Sequence, residues 1–141
     1  MSAVLTDATA PEAAVLGAIR DMYDAFIAND RARFDSHLDP RTTTWESHFP
    51  RMYSRAELDG FRDRRTAAER PVLAEMRVEP RRIEVWGDTA IAAYLLVMVP
   101  EAGETQTTRI TDVLRHDGER WRIVHHHAQA RDVADADEAR A

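Results

Sequence analysis

The chain contains no cysteine, which excludes disulfides, thiolate metal sites and cysteine nucleophiles. It contains no lysine either. All its basic residues are arginine, and they stand among acids instead of forming a stripe. With 19 basic against 25 acidic side chains the formal net charge is −6, a balance that favours solubility and disfavours a nucleic-acid partner. Even the densest basic patch, Arg62, Arg64 and Arg65, has Asp59 and Asp63 beside it. Long apolar runs are missing as well. The strongest, Ile91 to Val99, is about half of a membrane span. Met1 to Pro11 lacks the basic start and apolar stretch of a secretory signal. There is no glycine-rich phosphate loop, no zinc-protease helix motif and no serine nucleophile elbow. A cytoplasmic protein with no membrane and no nucleic-acid partner is expected.

What is present fits one domain, since 141 residues can bury a single hydrophobic core. Residues 1–8 are small and polar and read as a flexible N-terminus. Residues 9–130 carry the periodic patterns of a folded domain, and 131–141 is alanine and charge, read as a flexible tail. Thr9 and Glu12 have the spacing of a capping box around Pro11. The stripe Val15, Ile19, Met22 and Phe26, widened by Leu16, Tyr23 and Ile27, then predicts an amphipathic helix. A second short helix is expected from Asp30 to Leu38, closed by Asp39-Pro40. Thr42 to Trp45 reads as a short extended piece. Ser54 and Glu57 repeat the capping-box spacing before a third helix that runs to about Arg65.

After Pro71 the period changes to two. Strands are expected over Val72 to Val85, with an edge or bulge at Pro80, and over Ala90 to Val99, Thr105 to Arg115 and Trp121 to Gln129. Turns fall at Gly87-Asp88, Glu101 to Glu104 and Asp117-Gly118. Helices followed by a four-stranded antiparallel meander give an α+β layer.

The strand from Ala90 is apolar on both faces, whereas a half-wet antiparallel strand alternates. Helices can cover one face. A second copy of the chain is the expected cover for the other. In the next strand Thr107, Arg109, Thr111 and Val113 share one face, and Ile110, Asp112 and Leu114 the other. A mid-strand guanidinium needs a partner. That partner is an acid, an interface rim, or an anionic or carbonyl-bearing ligand. In the last strand, unless a bulge intervenes, Trp121, Ile123, His125, His127 and Gln129 share a face, and the apolar lead of Trp121 and Ile123 points it inward.

His125 and His127 can then exchange protons, donate to buried acceptors, or hold a metal with His37, His48 or Glu46 as a third ligand. Glu46 lies between aromatic and apolar neighbours, where burial would make it a stronger base. Tyr94 is a candidate oxyanion donor or a satisfied core tyrosine, and Trp45 a core plug or an aromatic wall.

The pattern Gly87-Asp88-Thr89-Ala90, Thr107-x-Arg109-x-Thr111 and Asp117-Gly118-x-x-Trp121-x-Ile123-Val124-His125-x-His127 resembles the nuclear transport factor two-like superfamily, in particular its SnoaL-like members. The Asp39-Pro40 and Thr44-Trp45 stretch and the first helix add to the likeness, which covers roughly residues 12 to 130. The resemblance implies an α+β cone, N-terminal helices packed on a strongly curved antiparallel sheet, with a pocket at its open end and pairing through the convex face. The superfamily includes isomerases, dehydratases, polyketide cyclases, and assembly or transport domains without catalysis. For the isomerase-like members, which set an aspartate base against a tyrosine and a protonated acid, Tyr23 and Asp39 are the matching candidates, with Glu46 competing. The His125-x-His127 ending also resembles the association domain of the calmodulin-dependent kinases, although Ala128 follows the histidines in place of an arginine.

The expectation is a homodimeric domain that binds a small apolar or carbonyl-bearing molecule. If catalytic, it would do acid/base work without a cofactor or metal. Glu46, His125 or His127 would be the base, and Tyr94 or Arg109 would steady the oxyanion. The alternative is an interaction or assembly domain with a vestigial pocket.

Overall fold

The computed structural model describes residues 10–65 and 72–130. The two terminal segments and the Thr9 half of the first capping box lie outside these residues. Helix α1 (Ala10–Ile27) forms where the apolar stripe predicts it. Val15, Ile19 and Met22 are at most 2% exposed, and each such burial contributes about 1.5–3 kcal/mol. The helix ends at Asn29, which takes a left-handed φ of 59°, a conformation asparagine tolerates better than most residues. Asp30 then caps helix α2 (Arg31–Asp35), its carboxylate accepting from the Arg33 amide.

Helix α2 is shorter than the expected span to Leu38. The chain is captured instead by the last strand, as the Ile123 amide donates to the His37 carbonyl at 2.8 Å and the Arg122 guanidinium to that of Ser36. Leu38 therefore opens strand β1 (Leu38–Glu46), which contains the Asp39-Pro40 pair expected to act only as a break. Strand β2 (Tyr53–Ser54) pairs with β1. The Ser54–Glu57 box then opens helix α3 (Arg55–Arg64) with both reciprocal hydrogen bonds formed.

Strands β3 (Leu73–Trp86), β4 (Thr89–Pro100), β5 (Gln106–His116) and β6 (Trp121–Ala130) form the expected meander. Gly87 closes the β3–β4 turn with a φ of 59°, which favours a residue without a Cβ. Pro80 lies on the edge strand at a register shift, where its missing N–H costs no ladder bond. The sheet is larger than four strands. Its order is β2-β1-β6-β5-β4-β3, and β1 runs parallel to β6, so the sheet is mixed. It is curved and unclosed, and α1 packs across it to complete the α+β cone. Among the described residues no helix is long and apolar enough to cross a membrane.

Candidate functional site

A β-bulge decides what the site contains. Val113 pairs with His125, and the next residue, Leu114, pairs with Ile123. Val124 is therefore an extra residue on β6, and the alternation restarts after it. Trp121 and Ile123 face the core as expected, but inward facing passes to His126 and Ala128. His125 and His127 turn to the other face, beside Thr43 and Trp45 of β1 and Val113 and Thr111 of β5. Their expected placement inside is thus reversed. Arg109 shares that outer face. It is exposed and pairs in register with Leu95 and Gln129. Trp45 is neither plug nor inner wall. It sits on the outer face, 44% exposed, with its indole N–H on the Phe49 carbonyl.

The inner face gathers a polar chain in an otherwise apolar setting. Asp112 of β5 is fully buried. One of its oxygens accepts from Tyr94 Oη at 2.6 Å. The other accepts from His126 Nδ1 at 2.5 Å. Tyr94 Oη lies 2.8 Å from Tyr23 Oη of α1. A phenol has one hydrogen to give. Tyr94 gives its hydrogen to Asp112, so Tyr23 donates to Tyr94. The direction Tyr23 to Tyr94 to Asp112 is fixed, and neither phenol keeps a hydrogen for a ligand. Tyr94 is therefore a satisfied core tyrosine here, not a free oxyanion donor.

Electrostatics follow from this arrangement. Burial, then the Asp112 charge, pushes both phenols well above the usual tyrosine range. At His126 burial works against the imidazolium, but the Asp112 carboxylate outweighs it and raises the pKa above 6.5. Glu46 adds to that rise through its charge. Nδ1 of His126 is held by Asp112, so Nε2 is the atom left to act on a ligand. The His126 side chain keeps 19% exposure. On the outer face the opposite holds. Burial, and then the charges of His126 and His127, lower the His125 pKa below 6.5.

Glu46 is on the same inner face. Thr44 pairs with His126 and Glu46 with Ala128 in the parallel β1–β6 ladder. Thr44 Oγ1 donates to Glu46 Oε2 at 3.4 Å. A carboxylate and an Asp112-bound imidazole thus stand on neighbouring strands, one half-buried and the other nearly so. The residues missed at the sequence level are Asp112 and His126, while Tyr23 entered only through the family resemblance. Asp112 did leave a signal, as the one acid between Ile110 and Leu114 on an apolar face. For a metal the arrangement offers little: among the described residues no three His, Asp or Glu side chains gather around one point. His37 is bound to Asp21 at 2.7 Å and His48 lies against Phe49.

No curated protein matches the chain. Solved structures do. A CaMKII hub from S. rosetta is 25% identical, covers 86% of this chain and 97% of its own, and superposes with a TM-score of 0.68. An NTF2-like protein of unknown function from Pseudomonas putida is 18% identical over 90% of this chain and 92% of its own, with a TM-score of 0.68. A candidate ketosteroid isomerase from Parabacteroides distasonis is 15% identical over 83% and 88%, with a TM-score of 0.65. The last two likenesses speak for the fold alone. The model of the SnoaL-like domain matches residues 15–129, and with the cone, the bulged last strand and the inner polar chain in place, the chain belongs to the family of SnoaL-like domains.

Proposed function

We propose that the inner face binds a small carbonyl-bearing molecule and moves a proton on it, with Glu46 as base and His126 as the donor to the developing oxyanion. The observation that carries this reading is the buried Asp112 bonded to His126 Nδ1. That bond fixes the ring and favours its charged form, so Nε2–H is a preorganised donor. Glu46 is the acid nearest in register that remains half-exposed. Such a pair suits enolisation, and hence isomerisation, dehydration or ring closure, with no cofactor. His125, His127 and Arg109 take no part.

Proton abstraction next to a carbonyl can be read directly as hydrogen–deuterium exchange at the α-carbon of simple cyclic ketones in D2O, followed by NMR. The expected result is acceleration by the wild type, lost by about 100-fold or more in Glu46→Gln and in His126→Gln, and kept in His125→Gln. Exchange no faster than in buffer across a panel of ketones would defeat the catalytic reading.

A second reading, an assembly domain, is favoured by the CaMKII hub likeness and by the outer face of β4. There Ile91, Ala93 and Val99 remain half-exposed on the same face of the sheet as the exposed Trp45, with strands β5 and β6 between them. In this reading two copies pair through that face. Light scattering would show a dimer, and Ala93→Glu would split it. A wild-type monomer at high concentration would contradict it.

A further inference from the structure

Away from the inner face, a separate hollow of about 140 Å³ opens between the end of α1, α2 and the end of α3. Its volume matches the scale of a cavity of about 150 Å³ that admits benzene. Ala25, Phe26 and Phe34 supply apolar lining, and Arg31, Arg62 and Arg65 bring positive charge to it against the single acid Asp30. The three arginines are not equivalent. Arg31 is taken by Asp63 at 2.6 Å. Arg62 gives its terminal nitrogens to Asp35 at 2.7 Å and Asp59 at 2.5 Å, and its guanidinium stands 6.0 Å from the centre of the Phe34 ring. Its Nε–H, however, is buried with no acceptor. Arg65 has no acid within ion-pair distance among the described residues, and it is half-buried at the C-terminal cap of α3.

Arg65, a guanidinium with no acid beside it among the described residues, asks for an anion. The ring-sized apolar lining asks for a planar or compact hydrocarbon body. We propose that this hollow binds a small carboxylate with an aromatic or similarly compact body, its carboxylate accepting from Arg65 and its ring resting against Phe26 and Phe34. The inference uses no residue of the inner face and stands or falls independently of it.

Sodium benzoate is the probe, with benzyl alcohol as the uncharged counterpart and sodium acetate as the charge without the ring. Binding is followed by amide shifts in two-dimensional NMR and by calorimetry. Benzoate should shift the amides of Phe26, Phe34, Arg62 and Arg65, and bind at least tenfold more tightly than either control. Arg65→Ala and Arg65→Gln should each weaken benzoate at least tenfold without moving the melting temperature. His126→Gln should bind it like the wild type. Equal binding of benzyl alcohol, unchanged affinity in both Arg65 variants, or shifts centred on Thr44 and His126 would each overturn the proposal.

Discussion

His125 and His126 are adjacent in the chain and opposite in chemistry. His126 lies on the inner face, tied to a fully buried carboxylate, and is pushed toward its charged form. His125 lies on the outer face, bonded to Thr43 at 2.7 Å, and is pushed toward its neutral form. The difference comes from which side of the sheet each ring occupies, and one bulged residue, Val124, sets that side. The identity of a residue therefore says less about its acid/base character than the group across the strand.

The comparison breaks most forcefully at Asp112. Asp112→Ala leaves Tyr94 and His126 without their common acceptor in a dry site. It should cost about 3–5 kcal/mol of stability, read by urea unfolding. Loss of less than 1 kcal/mol would mean that the inner chain is not buried as described. Tyr94→Phe removes one donor to Asp112 and the acceptor of Tyr23, and should cost about 1–3 kcal/mol in the same measurement.

Deleting Val124 sharpens the role of the bulge. With the extra residue gone, Ile123 would still face inward, His125 outward and His126 inward, because regular alternation then gives the same parity. The deletion should cost about 1 kcal/mol and leave His126 titrating above the ordinary imidazole value. On the outer face His127→Gln should change stability by less than about 0.5 kcal/mol.

The two histidines also impose opposite pH dependences. The folded pKa of His126 is raised, so its contribution is fully present below pH 6.5 and fades as pH rises through the raised value. The folded pKa of His125 is lowered, so its contribution is present above pH 6.5 and is lost as pH falls through the lowered value. Stability–pH curves of His126→Gln and His125→Gln should therefore depart from the wild type in opposite senses.

Much of the fold was legible because it rests on local patterns. The stripe of α1, the Ser54–Glu57 box and the glycine-marked turns each act within a few residues. Strand β1 was mostly missed because Asp39-Pro40 looks like a stop, and only pairing with β6, some 80 residues away, makes it a strand. The site was legible in type but not in placement. Glu46 and Tyr94 lie on the inner face. The histidines were displaced by one residue because nothing in Trp121 to Gln129 announces that Val124 will be left unpaired. Tyr94 shows the further gap between position and role, since its one hydrogen is already committed to Asp112.

The most direct test is an NMR titration of the imidazole carbons, with the histidines assigned by single substitution. The account predicts that His126 titrates above pH 6.5 and falls toward it in Asp112→Asn, while His125 titrates below 6.5 in the same spectra. A reversed order, or a His126 midpoint that ignores the loss of the Asp112 charge, would place the wrong histidine inside the cone.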